Sequence, residues 1–530
     1  MTTPNRSAVG SVVFVGAGPG DPGLLTLRAA EALADADVVV TDRDDHRALL
    51  NHARADVEVI DCGQDEDGLP LTASVRSRRV VSASKGGRRV VRLLDGDPFT
   101  HPTGADEALA CAKAGVPFEM VPGVSDVTAV PGYAGIPLAA GRKRSVAIVD
   151  ASEKVDWHRH TADTLVLLRA TELVEASAGL VGTGRSADTP AAAIASGTTV
   201  EQRTVVSTLG KLAADVAAAK ISPNVVVVGE VVNHREALSW FETKPLFGWR
   251  VLVPRTKEQA GALSAALRRA GGVPEEVPTI SVEPPRNPQQ IDKAVRGMVE
   301  GRYEWIAFTS YNALRAVKEK LVEYGLDARA MSGLKVAAVG EKTADALRAW
   351  GIEPDLVPSG EQSARGLLAE WPPYDEVLDP INRVFLPRAD IATETLVAGL
   401  VDLGWEVDDV TAYRTVRAAP PPAETREAIK TGKFDAVVFT SSSTVRNLVG
   451  IAGKPHSSTV IACIGPATAK TAEEHGLRVD VLAPEPSVEV LAESLADYGA
   501  ARRLSLIEAG EPVTRPSEKR RRRAARRQAT

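Results

Sequence analysis

Phe308-Thr309-Ser310 and Phe439-Thr440-Ser441 place the same pair of hydroxyls behind an apolar run (Tyr303 to Phe308, Phe434 to Phe439) and ahead of a helical pattern. A Thr-Ser pair at a strand-to-helix junction supplies capping hydroxyls and leaves backbone N–H groups at the positive end of the helix dipole. Such a junction holds an anion without needing a lysine. Either copy alone reads as an ordinary helix cap. Two copies in matching surroundings point to one polyanionic ligand gripped from both sides.

The surroundings match because the segment is duplicated. Val251-Leu-Val-Pro-Arg255 returns as Val384-Phe-Leu-Pro-Arg388, and Ala338-Val-Gly340-Glu-Lys342-Thr343 returns as Cys463-Ile-Gly465-Pro-Ala-Thr468. Near-constant offsets with a small drift mean a repeated α/β unit with altered loops, and a long period in only two copies means two lobes rather than a solenoid. In open α/β sheets ligands lie outside the carboxyl ends of the strands. The candidate anion holders are therefore Thr309, Ser310, Thr343, Thr440, Ser441, Ser442 and Thr468, with Lys342 beside them. Arg255 and Arg388 end their strands, either facing the ligand or pairing with nearby acids.

These motifs, with Ala412-Tyr413-Arg414-Thr415, resemble uroporphyrinogen-III synthase over residues 249–500. The resemblance implies two α/β lobes joined by two strands, lobe one from about 249–281 plus 415–500 and lobe two from about 282–414. It implies the substrate hydroxymethylbilane, a linear tetrapyrrole polycarboxylate that loses its terminal hydroxyl, inverts its last ring and closes. A free bilane closes without inversion, so the task is to select a geometry, which is catalysis by orientation. Tyr413 carries over as the helper for hydroxyl departure, a phenolic donor with a pKa near 10; its structural alternative is a buried aromatic at the hinge. No cofactor is expected for this domain.

At the other end of the chain, four apolar runs finish in turns rich in Gly, Pro and Asp. They are Val12–Val15 before Gly16-Ala-Gly-Pro19-Gly-Asp21-Pro, Asp37–Val40 before Thr41-Asp42, Val90–Leu94 before Asp95-Gly96-Asp97-Pro98, and Phe118–Val121 before Pro122-Gly123-Val-Ser125-Asp126. The first is no dinucleotide fingerprint, because Asp21 stands where the third glycine belongs and Pro19 and Pro22 restrict the loop. A helix is expected from about Leu25 to Ala34. With Tyr133-Ala-Gly-Ile-Pro-Leu138 and Ala195-Ser-Gly197-Thr, this set resembles the tetrapyrrole methylases that use S-adenosylmethionine, especially the uroporphyrinogen-III C-methyltransferases, over residues 11–241. The resemblance implies two α/β lobes, S-adenosylmethionine held by Pro19, Gly96, Asp97, Ser125, Asp126 and Gly197, and Asp42 at the position of the acidic base. Such a domain also implies a homodimer.

Three positions and one short run depart from that family's pattern. Asp95 stands where a glycine is usual, adding a carboxylate that would repel a polyanion. Gln64 takes the place of a proton-donating lysine, and glutamine cannot carry that proton. Arg169 replaces a methionine that packs on the cofactor, and Pro102–Glu107 replaces a Gly-Arg-Gly-Gly-Glu-Glu run. Two functions follow: a fused synthase and methyltransferase that together make a methylated tetrapyrrole, or a synthase carrying a non-catalytic methylase-like scaffold. A two-lobed solute-binding protein is a third and poorer fit, since Met1–Gly10 lacks a leader's apolar core.

The chain has 530 residues, a net charge of −6 and 44% hydrophobic but only 4% aromatic residues, so its cores must be built of Ala, Val and Leu. Alternating apolar runs and amphipathic stretches mark an α/β protein throughout. Cys62, Cys111 and Cys463 lie far apart, which fits a reducing cytoplasm and excludes a disulfide frame or cysteine-bound metal. His158-Arg-His160 lacks partners at metal spacing and reads as a surface loop. No apolar run is long enough to span a membrane. Residues 242–248 read as a short linker, and 501–530, with Lys519-Arg-Arg-Arg-Arg523, as a disordered basic tail able to touch anionic partners.

Overall fold

The computed structural model describes residues 10–518 except 44, 101, 143, 171 and 256. The chain divides into two compact units. One is Met1–Trp249 with Ala266–Val273 and Ala496–Val513; the other is Arg250–Ala265 with Pro274–Leu495 and Thr514–Thr530.

The first unit holds two five-stranded sheets. Strands β1 (Ser11–Gly16), β2 (Val38–Thr41), β3 (Glu58–Asp61), β4 (Arg89–Leu94) and β5 (Phe118–Val121) form an all-parallel sheet in the order β3-β2-β4-β1-β5. Helices on both faces bury its central strands, which is why they read as unbroken apolar runs. The helix after β1 spans Leu27–Ala34, starting later than the expected Leu25, because Thr26 caps it by accepting from the Ala29 N–H. The second sheet contains β6 (Val146–Asp150), β7 (Thr164–Leu168), β8 (Pro190–Ala195), β9 (Arg203–Thr208) and β10 (Val225–Val228), ordered β6-β7-β10-β8-β9, with β10 antiparallel to both neighbours.

The second unit continues with β11 (Arg250–Val253), β12 (Val273–Glu276), β13 (Ile280–Glu283), β14 (Trp305–Phe308), β15 (Lys335–Ala338), β16 (Arg383–Ala389), β17 (Glu406–Arg417), β18 (Ala436–Phe439), β19 (Val460–Cys463) and β20 (Val481–Leu482). They build two sheets, β12-β11-β18-β19-β20 and β13-β17-β16-β14-β15. The duplication is visible in the parallel pairs β14/β15 and β18/β19, each strand followed by a helix. Phe308 and Phe439 are both fully buried and anchor the strand ends, so the hydroxyl residues after them emerge at the carboxyl edges. β17 runs parallel to β16 and then pairs antiparallel with β13, and its register slips where Arg388 gives way to Ala389 opposite Tyr413.

Residues 501–508 are not a tail. They complete the helix Val488–Glu508, and the chain beyond returns so that the Ser517 N–H donates to buried Asp435, whose other oxygen accepts from Arg250 N–H. Burial raises the Asp435 pKa, against these hydrogen bonds. The arginine run from Lys519 lies outside the described residues.

Candidate active sites

In the first unit the strand ends are pressed together by glycine. A Cβ on Gly123 would lie 2.1 Å from the Gly96 carbonyl and 2.7 Å from Gly16 Cα, and a Cβ on Gly16 would lie 2.5 Å from Gly123 Cα. Gly18 and Gly96 exchange backbone hydrogen bonds of 2.9 and 3.2 Å, and Gly96 has a φ of 57° that only glycine adopts freely. Asp97 staples this collar: one oxygen accepts from Phe99 and Thr100 N–H, the other from Gly123 N–H at 3.2 Å. Ser125 caps the helix Asp126–Tyr133, and Asp126 approaches Gly96. From the second sheet, Thr198 accepts the Asp21 N–H at 3.0 Å, while Gly20, beside Pro19, comes against Gly197. Tyr133 completes the link by donating to Asp21 at 2.9 Å. Pro19, Gly96, Asp97, Ser125, Asp126 and Gly197 therefore converge on one glycine-walled cradle. The glycines let these strand ends and loops meet main chain to main chain.

Gly123→Ala tests the cradle with steric change alone, because Gly123 is not at positive φ. The clash is with backbone, which cannot swing aside, so a destabilisation of about 2 kcal/mol is expected. Thermal unfolding of the full chain against the Gly123 protein checks it.

Charge around the cradle is arranged differently from the expectation. Asp95 has partners, Arg43 lying 3.2 Å from one of its oxygens and His46 Nε2 2.9 Å from the other, yet it still repels Asp126. His46 is buried, with Nδ1 2.9 Å from the Thr41 hydroxyl. Asp42 is not an isolated base. It shares the fully buried guanidinium of Arg92 (3.1 Å) with Glu107 (2.8 Å), also fully buried. Burial opposes the charge on Arg92, but Glu107 and then Asp42 outweigh it and raise its pKa. Arg169 has a φ of 54° and pairs with Asp150 at 2.6 Å, holding that carboxylate down at about 2. Gln64 is exposed, in an isolated bridge with Pro70.

Asp126 is the perturbed acid of the site. Burial, then repulsion from Asp95, raises its pKa to about 6 against the pull of Arg43 and Arg169. A carboxyl raised above its unfolded value binds its proton more tightly in the folded state, so stability falls as pH rises from about 4 through 6. Asp126→Asn should therefore stabilise the chain at pH 7 by about 2 kcal/mol, allowing for partial exposure, and leave it unchanged at pH 4. Thermal unfolding at the two pH values checks this.

In the second unit, parallel pairing of β14, β15, β16 and β17 brings Thr309, Ser310, Lys342 and Tyr413 to one sheet edge. The register slip breaks the in–out alternation, so Ala412 and Tyr413 are both buried, Tyr413 being 8% exposed. It aims the phenol at the first Thr-Ser turn, where the Tyr413 and Ser310 hydroxyls lie 3.0 Å apart. Tyr413 also lines a cavity of about 260 Å³ with Pro284, Ile291, Asn312 and Arg315. The second turn sits at the edge shared by β11, β18 and β19, where Arg255 also ends its strand. Burial lowers the Arg255 pKa, and no acid pairs with it among the described residues.

Several expected anion holders are occupied elsewhere. Arg388 is buried between Asp409 and Glu394 and donates to the Thr393 carbonyl, so its charge is neutralised inside the lobe. Thr343 and Thr468 are 6% and 4% exposed, on the core side of their helices. Ser442 donates to the Ala467 carbonyl and accepts from Thr471, tying two helices together. Thr309, Thr440 and Ser441 remain partly exposed at the strand ends, and Lys342 is exposed. Sequence reasoning passed over Arg92, Glu107 and His46. An arginine in the middle of Val90-Val-Arg-Leu-Leu94 was the available signal, since a charge in a buried strand requires a buried partner.

Two families match this chain. Residues 11–213 match the family model of tetrapyrrole (corrin/porphyrin) methylases, and residues 261–493 that of uroporphyrinogen-III synthase HemD. The porphyrin biosynthesis protein HemD of Ruminiclostridium josui is 33% identical over 506 residues, covering 92% of this chain and 98% of that protein. Siroheme synthase 2 of Aeromonas hydrophila subsp. hydrophila is 39% identical over 248 residues, 44% of this chain; the match spans about half of that relative, 52%. A uroporphyrin-III C-methyltransferase from Thermus thermophilus, crystallised with S-adenosyl homocysteine, is 30% identical with a TM-score of 0.36, covering 42% of this chain and 99% of that one. With both family patterns in one chain and a relative alike along almost its whole length, this protein belongs to the HemD family of fused tetrapyrrole methylases and uroporphyrinogen-III synthases.

Proposed function

We propose that the chain closes hydroxymethylbilane to uroporphyrinogen III with inversion of the last ring, and then methylates that product on carbon toward precorrin-2. The observation that carries the first activity is the Tyr413 phenol, buried within β17 opposite the end of β16 and held against Ser310. In this reading Tyr413 gives its proton to the departing hydroxyl, which leaves as water. Thr309, Thr440 and Ser441, with Lys342 and Arg255, hold carboxylates so that the ring closes in the inverted sense. Arg388, Thr343, Thr468 and Ser442 support the lobes instead.

The second activity rests on the glycine cradle of the first unit. Bound there, S-adenosylmethionine supplies an electrophilic methyl group. Gly96, Gly123 and the loop at Pro19 offer close main-chain approach, Asp126 and Ser125 offer polar contacts, and Gly197 closes the far side. Joining the two domains raises the local concentration of the intermediate at the second site. The scaffold alternative draws on Arg169 and Gln64: the arginine is committed to Asp150, and the glutamine cannot relay a proton. A homodimer through the methylase domain, contact of the basic tail with anionic surfaces and a cytoplasmic setting belong to the same proposal.

Full-length protein given hydroxymethylbilane should yield isomer III, and with S-adenosylmethionine added it should yield the methylated product. Isomer III without methylation, together with no binding of S-adenosylhomocysteine, would leave the scaffold reading. Isomer I alone would remove the synthase.

A further inference from the structure

The two Thr-Ser turns are alike in sequence and differ in wiring. Ser441 lies in a closed capping box: its hydroxyl accepts from Thr444 N–H and meets Ser443 Oγ at 2.9 Å, while the Thr444 hydroxyl reaches back to Ser441 N–H. Every contact of that hydroxyl stays within its own helix start. Ser310 caps the helix Tyr311–Glu323 by accepting from Ala313 N–H at 3.2 Å, and its other contact leaves the helix for the Tyr413 hydroxyl at 3.0 Å. Position 312, which corresponds to Ser443, is an asparagine, so no second hydroxyl there competes for Ser310.

We infer that Ser310 is a positioning residue for Tyr413 rather than a carboxylate holder, and that the serines of the duplicated turns have separate tasks, Ser310 orienting the proton donor and Ser441 staying at its own helix start on the anion side. Ala313 N–H donates to Ser310 Oγ; between the Ser310 and Tyr413 hydroxyls either can donate, and in this role Ser310 is the donor to the phenolic oxygen. That direction leaves the phenolic proton free for the departing hydroxyl. Donors in series polarise one another, and this series begins at the positive end of a helix. As the phenol gives up its proton its oxygen gains negative charge, and the serine hydrogen bond strengthens at that moment, which is what lowers a barrier. When water has left, the same serine keeps the phenolate in place for reprotonation.

The inference rests on the role proposed for Tyr413, and a mutant cycle on the full chain separates the two. Ser310→Ala should lower kcat for isomer III about tenfold or more, the scale of a hydrogen bond to a charged group, with KM within about twofold. In a Tyr413→Phe background the same change should add nothing, because the group it orients is gone. Ser310→Thr, which keeps the cap and the donor, should restore kcat to within about twofold. A raised KM with kcat intact, or an equal loss in both backgrounds, would overturn the inference and return Ser310 to carboxylate binding or to helix capping. Unchanged turnover in Tyr413→Phe alone would instead remove Tyr413 from the reaction.

Discussion

Tyr413→Phe is expected to lower the rate of isomer III formation about a hundredfold, with isomer I from spontaneous closure becoming the main product. The size follows from loss of a positioned proton donor. The ring itself is retained, and Tyr413 packs with Phe308, Phe385 and Tyr303 in the core of its lobe, so removing one oxygen leaves that packing intact. The Ser310 hydroxyl, partly exposed, can turn to water, so folding should be nearly unaffected. Quenched incubations with hydroxymethylbilane, resolved into isomers, give the measurement. A full rate with normal isomer ratio would make Tyr413 a hinge aromatic only, and the register slip opposite Ala389 would then be a feature of the hinge alone.

The largest effect on stability is expected from Arg92→Leu. Glu107 would remain fully buried, with Arg76 3.9 Å away as the remaining cation, and the Asp42 carboxylate would lose the same partner. Removing one member of a buried ion pair costs about 3–5 kcal/mol, because the other stays uncompensated in a low-dielectric core. The double change Arg92→Leu with Glu107→Leu should recover most of that loss, since two apolar groups replace a matched pair. Thermal unfolding of the full chain distinguishes the outcomes: a double variant no more stable than the single would show that the pair is not the source. The single variant should also weaken S-adenosylhomocysteine binding, because β4 delivers Asp95, Gly96 and Asp97 to the cradle.

The sequence by itself determined the α/β class, the duplication and the two family patterns. Each depends on local signals: apolar runs such as Val90–Leu94 whose strands are buried, glycines where main chains touch, and motifs short enough to survive loop changes. Strand ends could be read in the same way, because Phe308 and Phe439 stop in hydroxyl residues that must cap the helix that follows.

Only the tertiary structure decided which of the polar residues were free to act. Arg388 and Ser442 looked like ligands and are spent on Asp409 and on a neighbouring helix, while Asp95 lies against Arg43 and His46 and spends its repulsion on Asp126. Tyr413 and Ser310 are 103 positions apart, and no periodicity predicts that they meet. A charge or hydroxyl has no fixed role in the chain. Its partners are chosen by strand order, by a one-residue slip in register, and by which side of a helix the core covers, and these are settled only when distant segments pack.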